Sequence, residues 1–108
     1  MAKLYTNSLK VKSASMHVIQ LSTGARYVFV NHYDTIIAKG FIENGELRGI
    51  EVYSSVASSS DVKAINEVFS VYGEIKKIKG ILKLKRHGQD KWSDIPVNVN
   101  LDSLSIND

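Results

Sequence analysis

Apolar and polar positions along the chain predict strands first, then one helix, then strands again. Over residues 8–12, Leu9 and Val11 stand against polar neighbours, a short strand pattern. Residues 16–21 and 26–31 are rich in Val, Ile, Tyr and Phe, which suit a pleated, half-buried surface. Ser22-Thr23-Gly24-Ala25 between them has turn chemistry, so the two predict an antiparallel pair. Tyr27 and Phe29 alternate with Val28 and Val30, so both faces of this strand are apolar. That predicts a central strand covered on both sides, in which these aromatics pack the core. His32-Tyr33-Asp34 then connects to a strand over 35–42.

Asn44-Gly45 is the sharpest local signal, because both residues accept the positive φ that a two-residue hairpin turn requires. Such a loop pairs Ile42 with Leu47, Phe41 with Arg48, Gly40 with Gly49, Ile37 with Val52 and Ile36 with Tyr53. It also sets Glu43 against Glu46, and like charges directly opposite destabilise a pair. A slightly longer loop would relieve them.

Five serines in residues 54–60 cannot pack a core and read as a capping loop. From Asp61 to Tyr72, Val62, Ile65, Val68, Phe69 and Tyr72 recur at helical spacing. Ser58 or Ser60 can cap the first free N–H groups, and Gly73 stands where a C′ glycine ends a helix. Residues 74–87 fit two patterns. In a strand, Leu82 and Leu84 oppose Lys83 and Lys85; in a helix, Ile75, Ile78 and Leu82 share a face that Gly80 weakens. The strand is favoured, because His87-Gly88-Gln89-Asp90 looks like a turn and Ile95, Val97, Val99 and Leu101 then alternate. Pro96 lacks a donor, which sets this last strand at an edge or makes Pro96 its start.

The pattern thus predicts an α+β fold: a mostly antiparallel sheet of about six strands with one amphipathic helix packed on it. Residues 1–101 are expected to form one domain, and 102–108 a flexible polar tail. A chain of 108 residues, 44% hydrophobic and 23% charged, has room for one core. It contains no cysteine, which excludes disulfides, zinc thiolates and cysteine nucleophiles. No apolar run approaches a membrane span, and the ordinary start Met1-Ala2-Lys3 leads to the expectation of a cytoplasmic protein without membrane contact.

Charge changes the picture most. Lys76, Lys77, Lys79, Lys83, Lys85, Arg86 and Lys91 are seven of fourteen basic residues, with Asp90 the only acid among them. Net charge over the whole chain is only +3. Such a concentrated field attracts polyanions. On a strand, Lys77, Lys79, Lys83 and Lys85 would project from one face and follow a phosphate backbone. Phosphate contacts give affinity without sequence specificity. Arg86 joins them, and Trp92 just past the turn is a candidate for base stacking. The plain alternative is a solvated strand whose lysines deter edge-to-edge aggregation.

Other constellations are weaker. His17, His32 and His87 show no second ligand at metal-binding spacing. His32 and Asp34 could be imagined as an acid–base pair, but no nucleophile accompanies them. No phosphate-binding glycine loop and no Gly-x-Ser-x-Gly turn is present. No catalytic residue and no cofactor is therefore expected.

The run His32-Tyr33-Asp34-Thr35-Ile36-Ile37-Ala38, then Tyr53-Ser54 and the serine-rich helix start, resembles small uncharacterised bacteriophage and plasmid proteins. These carry a Tyr-Asp/Asn-Thr-x-Val/Ile-Ala strand, a hairpin, a Tyr-Ser-x-Thr segment and a helix. The resemblance covers residues 26–72 and departs at Val56 and Asp61, where that pattern has Thr and His. It implies a mobile-element origin and supplies no activity. The expectation is a small phage-type, non-enzymatic protein that binds nucleic acid through a basic C-terminal hairpin. The alternative is an inhibitor or adaptor of a host defence or replication protein. Oligomeric state is not legible.

Overall fold

The computed structural model describes residues 3–53, 56 and 58–98. Five strands run as an antiparallel meander in chain order: β1 (Lys3–Ser8), β2 (Ala14–Gln20), β3 (Arg26–His32), β4 (Thr35–Glu43) and β5 (Glu46–Tyr53). The helix α1 (Ser59–Phe69) follows, then β6 (Gly73–Ile78), β7 (Ile81–Arg86) and β8 (Ser93–Asp94), which form a second antiparallel sheet in the order β6-β7-β8. The two-residue β9 (Val97–Asn98) returns to the first sheet and pairs in parallel with β5 at Val52 and Tyr53. This is the expected α+β class, mostly antiparallel strands with one helix, but the strands divide between two sheets instead of forming the single sheet of about six that the pattern predicts. Among the described residues no helix is long and apolar enough to cross a membrane.

Register explains the layers. Val18, Val28, Gly40 and Ile50 lie opposite one another across β2 to β5, as do Met16, Val30, Ala38 and Val52. Directly opposed residues share a face, so both rows look toward α1. The helix answers with Ala64, Ile65 and Phe69, all fully buried. Ile75, Leu82 and Leu84 of the second sheet join the same cluster. The closest approach is at Gly40, where a Cβ would stand 2.5 Å from Phe69 Cε1. Only glycine lets the ring lie against the strand there. On β3 the expectation of two covered faces holds in part. Val28, Phe29 and Val30 are buried, while Tyr27 is half-buried with its ring centroid 5.0 Å from Phe41 on the face away from the helix.

The helix begins as its capping serine dictates. Ser58 Oγ accepts from Asp61 N–H at 3.3 Å, and Asp61 Oδ2 accepts from Ser58 N–H at 3.0 Å. That is a reciprocal capping box. The C-terminus differs from expectation. The C-cap is Ser70, and Gly73 is already the first residue of β6. A Cβ on Gly73 would stand 2.5 Å from Lys85 O, so this glycine answers backbone crowding rather than a C′ turn.

The β4–β5 hairpin turns at Asn44 (φ 54°) and Gly45 (φ 75°), with Glu43 opposite Glu46. Its register departs from the prediction after one more pair. Ile42 faces Leu47, but Phe41 then faces Gly49, Gly40 faces Ile50 and Ala38 faces Val52. Arg48 is thus the extra residue of a β-bulge. Its guanidinium reaches Glu46 Oε2 at 2.9 Å and Glu43 Oε1 at 3.8 Å. The opposed glutamates are relieved by a bulged arginine, with no lengthening of the loop.

Two more expectations change. The strand predicted over 8–12 lies mostly in the β1–β2 connection, where Lys10 and Val11 N–H groups donate to the Glu67 carboxylate of the helix. Residues 74–87 are not one strand but a complete hairpin, turning at Lys79 (φ 51°) and Gly80 (φ 81°). Of the alternating run at 95–101, only Val97 enters a described strand; Val99, Leu101 and the predicted 102–108 tail lie outside the described residues.

Candidate nucleic-acid interface

The β6–β7 hairpin displays the basic stretch on two faces rather than one. A two-residue turn sets odd-numbered residues of one strand against even-numbered residues of the other. Glu74 faces Lys85 and Lys76 faces Lys83, while Lys77 faces Leu82 and Ile75 faces Leu84. The second set belongs to the face whose Ile75, Leu82 and Leu84 are buried in the core. Lys77 is therefore not beside Lys83 and Lys85, contrary to the single-strand expectation. It sits at the rim of the core face, lining a cavity of about 230 Å³ with Tyr53, Val56, Ile81 and Val97. Lys76 takes the place on the outer face that simple alternation assigned to Lys77.

Each remaining candidate has a distinct setting. Lys79 is exposed at the turn. Lys83 Nζ lies 2.9 Å from Asp94 Oδ1, an ion pair whose acid is well exposed. Exposed pairs of this kind contribute at most about 1 kcal/mol. Lys85 Nζ lies 5.3 Å from the centroid of the Trp92 ring, a cation–π contact that fixes one face of the half-buried indole. Arg86 leaves the group: it lies on the core side, and its Nη1 donates to Leu47 O of β5 at 2.6 Å. It ties the two sheets together. The outer face thus gathers Lys76, Lys83 and Lys85 with Trp92 beside them, with Lys79 at the tip.

The histidines are engaged elsewhere. His32 Nδ1 lies 2.6 Å from Asp61 Oδ1, with both residues buried. Its imagined partner Asp34 sits instead in the β3–β4 turn, where Tyr33 has φ 51° and Asp34 φ 64°. The other ring nitrogen, Nε2, lies 3.2 Å from Lys12 O. A carbonyl only accepts, so Nε2 carries a proton. Both nitrogens are consumed, and the pair joins β3 to the helix start. His17 contacts Thr6 and Ser15 hydroxyls, and His87 Nε2 donates to Ser70 O at 2.9 Å. Among the described residues no three His, Asp or Glu side chains converge as a metal site would need.

Surface hollows elsewhere carry little chemistry. One of about 420 Å³ lies between the β2–β3 and β4–β5 turns, bordered by Gln20, Thr23, Arg26 and Glu43. Another, of about 330 Å³, borders Tyr27, Lys39, Phe41, Glu51 and Pro96. Set against known protein families, curated proteins and solved structures, the chain matches none.

Proposed function

We propose that the protein is a non-enzymatic binding module that takes a nucleic-acid backbone on the outer face of its second sheet, through Lys76, Lys83, Lys85 and Lys79. The observation that carries this reading is the place of the lysines within the sheet. Lys83 and Lys85 lie on β7, which pairs with β6 along its length and with β8 at Lys83 and Leu84. Gatekeeper lysines belong on edges, where they deter pairing with another chain. Lys83, paired on both sides, has no such task. Lys83 moreover stands directly opposite Lys76. Like charges so placed cost stability; Asp94 offsets part of that cost at Lys83, and a phosphate between the two lysines would offset the rest. Lys77 and Lys79, at the rim and the tip, fit the solubilising role as well as the binding one.

Three or four phosphate contacts supply weak, sequence-independent affinity, with Kd of roughly 10⁻⁴–10⁻⁶ M and a log–log salt slope of about −3 on duplex. The test is a titration of labelled single- and double-stranded oligonucleotides at about 50 and 200 mM salt. A Lys83→Glu/Lys85→Glu variant is run in parallel. Binding that weakens with salt and is lost in the variant is the expected result. Binding that ignores salt, or survives the charge reversal, refutes the reading. Absence of binding at low salt refutes it too, and turns attention to an acidic protein surface as the partner of the same lysines.

A further inference from the structure

The two sheets treat their edges unequally. On β5 the outer edge is closed at several points: Val52 N–H donates to Pro96 O, β9 pairs beside it, and Leu47 O is taken by Arg86. The Arg48 bulge disturbs what is left of that edge. On β6 the Asn66 side chain imitates a neighbouring strand: its Nδ2 donates to Ile75 O, and Ile75 N–H donates to its Oδ1 at 2.8 Å. Exposed Lys76 and Lys77 guard the same strand. On the far side of the second sheet, β8 is two residues long. Bulges, short strands, lysines and covering groups are the devices by which proteins prevent unwanted strand pairing.

Among the described residues β1 has neither bulge nor covering group, and its one lysine stands at its very end. All six residues from Lys3 to Ser8 are exposed, and the strand pairs with β2 without a bulge. It contains no proline, and Lys3 at its end is its only charge. Leu4 is 76% and Tyr5 45% exposed. The neighbouring β2 carries no Lys, Arg, Asp or Glu.

Backbone alternation shows which groups face away from β2. Leu9 N–H donates to Ala14 O, so Asn7, Tyr5 and Lys3 turn their backbone groups toward β2. Leu21 N–H donates to Ala25 O on the other side of β2, which gives the same phase independently. Leu4, Thr6 and Ser8 therefore present their N–H and C=O groups outward.

We propose that this edge pairs with the β1 of a second copy of the chain, antiparallel, about a two-fold axis at Thr6. In that register Thr6 faces Thr6 of the second copy and Leu4 faces Ser8. The three outward residues then exchange backbone hydrogen bonds with three outward residues. Tyr5 faces Asn7 in the non-hydrogen-bonded pairs between them. Opposed residues have the same parity, so each face of one sheet continues into the same face of the other. The two Lys3 side chains lie at opposite ends, and no like charges meet across the seam. That absence of repulsion, together with the self-complementary phase, is what selects a second copy as occupant. The contact is isologous and closes on itself, so it yields a dimer rather than a fibre.

The test is sedimentation equilibrium of the full chain at about 100 µM, where mass action favours association. The expected mass is twice the 12.0 kDa of one chain. Thr6→Pro removes the outward donor at the axis and leaves the backbone bonds to β2 in place, losing only the hydroxyl contact with His17. Thr6→Lys instead places two ammonium groups face to face across the axis, and decides the matter should the proline disturb β1 itself. Both variants are expected to keep the wild-type circular dichroism and to sediment as single chains. A wild-type protein of one-chain mass overturns the proposal, as does a dimer that persists in folded Thr6→Lys. A dimer lost in the Lys83→Glu/Lys85→Glu protein but kept in Thr6→Lys overturns it also, by placing the contact on the second sheet.

Discussion

Replacing Asp61 tests how the helix is joined to the sheet. Its carboxylate accepts from Ser58 N–H at 3.0 Å and lies 2.6 Å from His32 Nδ1, and the residue is only 7% exposed. Oxygen and nitrogen that close share a hydrogen, since two bare acceptors would repel. In Asp61→Ala the capping box is lost, and His32 is left buried with a ring nitrogen unmatched. Removing one member of a buried, hydrogen-bonded pair costs about 1–3 kcal/mol between neutral groups and about 3–5 kcal/mol between charged ones. Against a total of roughly 5–15 kcal/mol for a domain of this size, that is a large fraction. At about 4 °C or more per kcal/mol, the midpoint of thermal unfolding falls by roughly 4–12 °C or more. Asp61→Asn behaves differently. The amide N–H can donate to His32 Nδ1 while Nε2 stays protonated toward Lys12 O, and the amide oxygen can accept from Ser58 N–H. Each of those bonds is then kept by neutral groups, and the cost falls to within about 1 kcal/mol, the net worth of an ordinary hydrogen bond. The assay is guanidinium unfolding followed by far-UV circular dichroism and Trp92 fluorescence. If Asp61→Asn is as damaging as Asp61→Ala, connectivity is not the cause and the charge is. A loss below about 1 kcal/mol in Asp61→Ala refutes the whole assignment of the pair as the joint.

Two further perturbations follow from close packing and edge closure. Gly40→Ala drives a methyl into the Phe69 ring, 2.5 Å from Cε1, and the ring is fully buried. The expected cost is about 1–3 kcal/mol by thermal melting, partly recovered when Phe69→Leu is added; additivity of the two changes would refute the contact. Asn66→Ala strips Ile75 of both its side-chain partners. The loss is about 1–3 kcal/mol, and the Ile75 amide exchanges its hydrogen faster. An unchanged exchange rate would show that the asparagine does not close this edge.

The candidate interface was legible as a quantity but not as a surface. Seven bases in one short stretch are plain in the sequence. Which of them share a face depends on where the chain turns. Lys79 adopts positive φ without being glycine or asparagine, so the turn carries only half of the usual signature. Missing it inverts the parity of every residue on one side, which is why Lys77 and Lys76 exchange places. The loss of Arg86 from the interface has a different origin. Its partner, Leu47 O, lies 39 residues away and is defined only once the two sheets meet.

Signals that depend on near neighbours determined the strands from Met16 to Tyr53, the Asn44-Gly45 turn, the Ser58 cap and the α+β class. Turn chemistry, capping and amphipathic period are all settled within a few residues of one another. Tertiary structure decided the rest. β1 carries no period because neither of its faces is covered, so burial never selected an alternation. The Arg48 bulge answers two glutamates that become opposed only after the hairpin closes. His32 finds Asp61 across 29 residues, and Asn66 finds a strand edge that exists only when the second sheet has formed. Partners brought together by the fold, and not by the chain, leave no local trace to read.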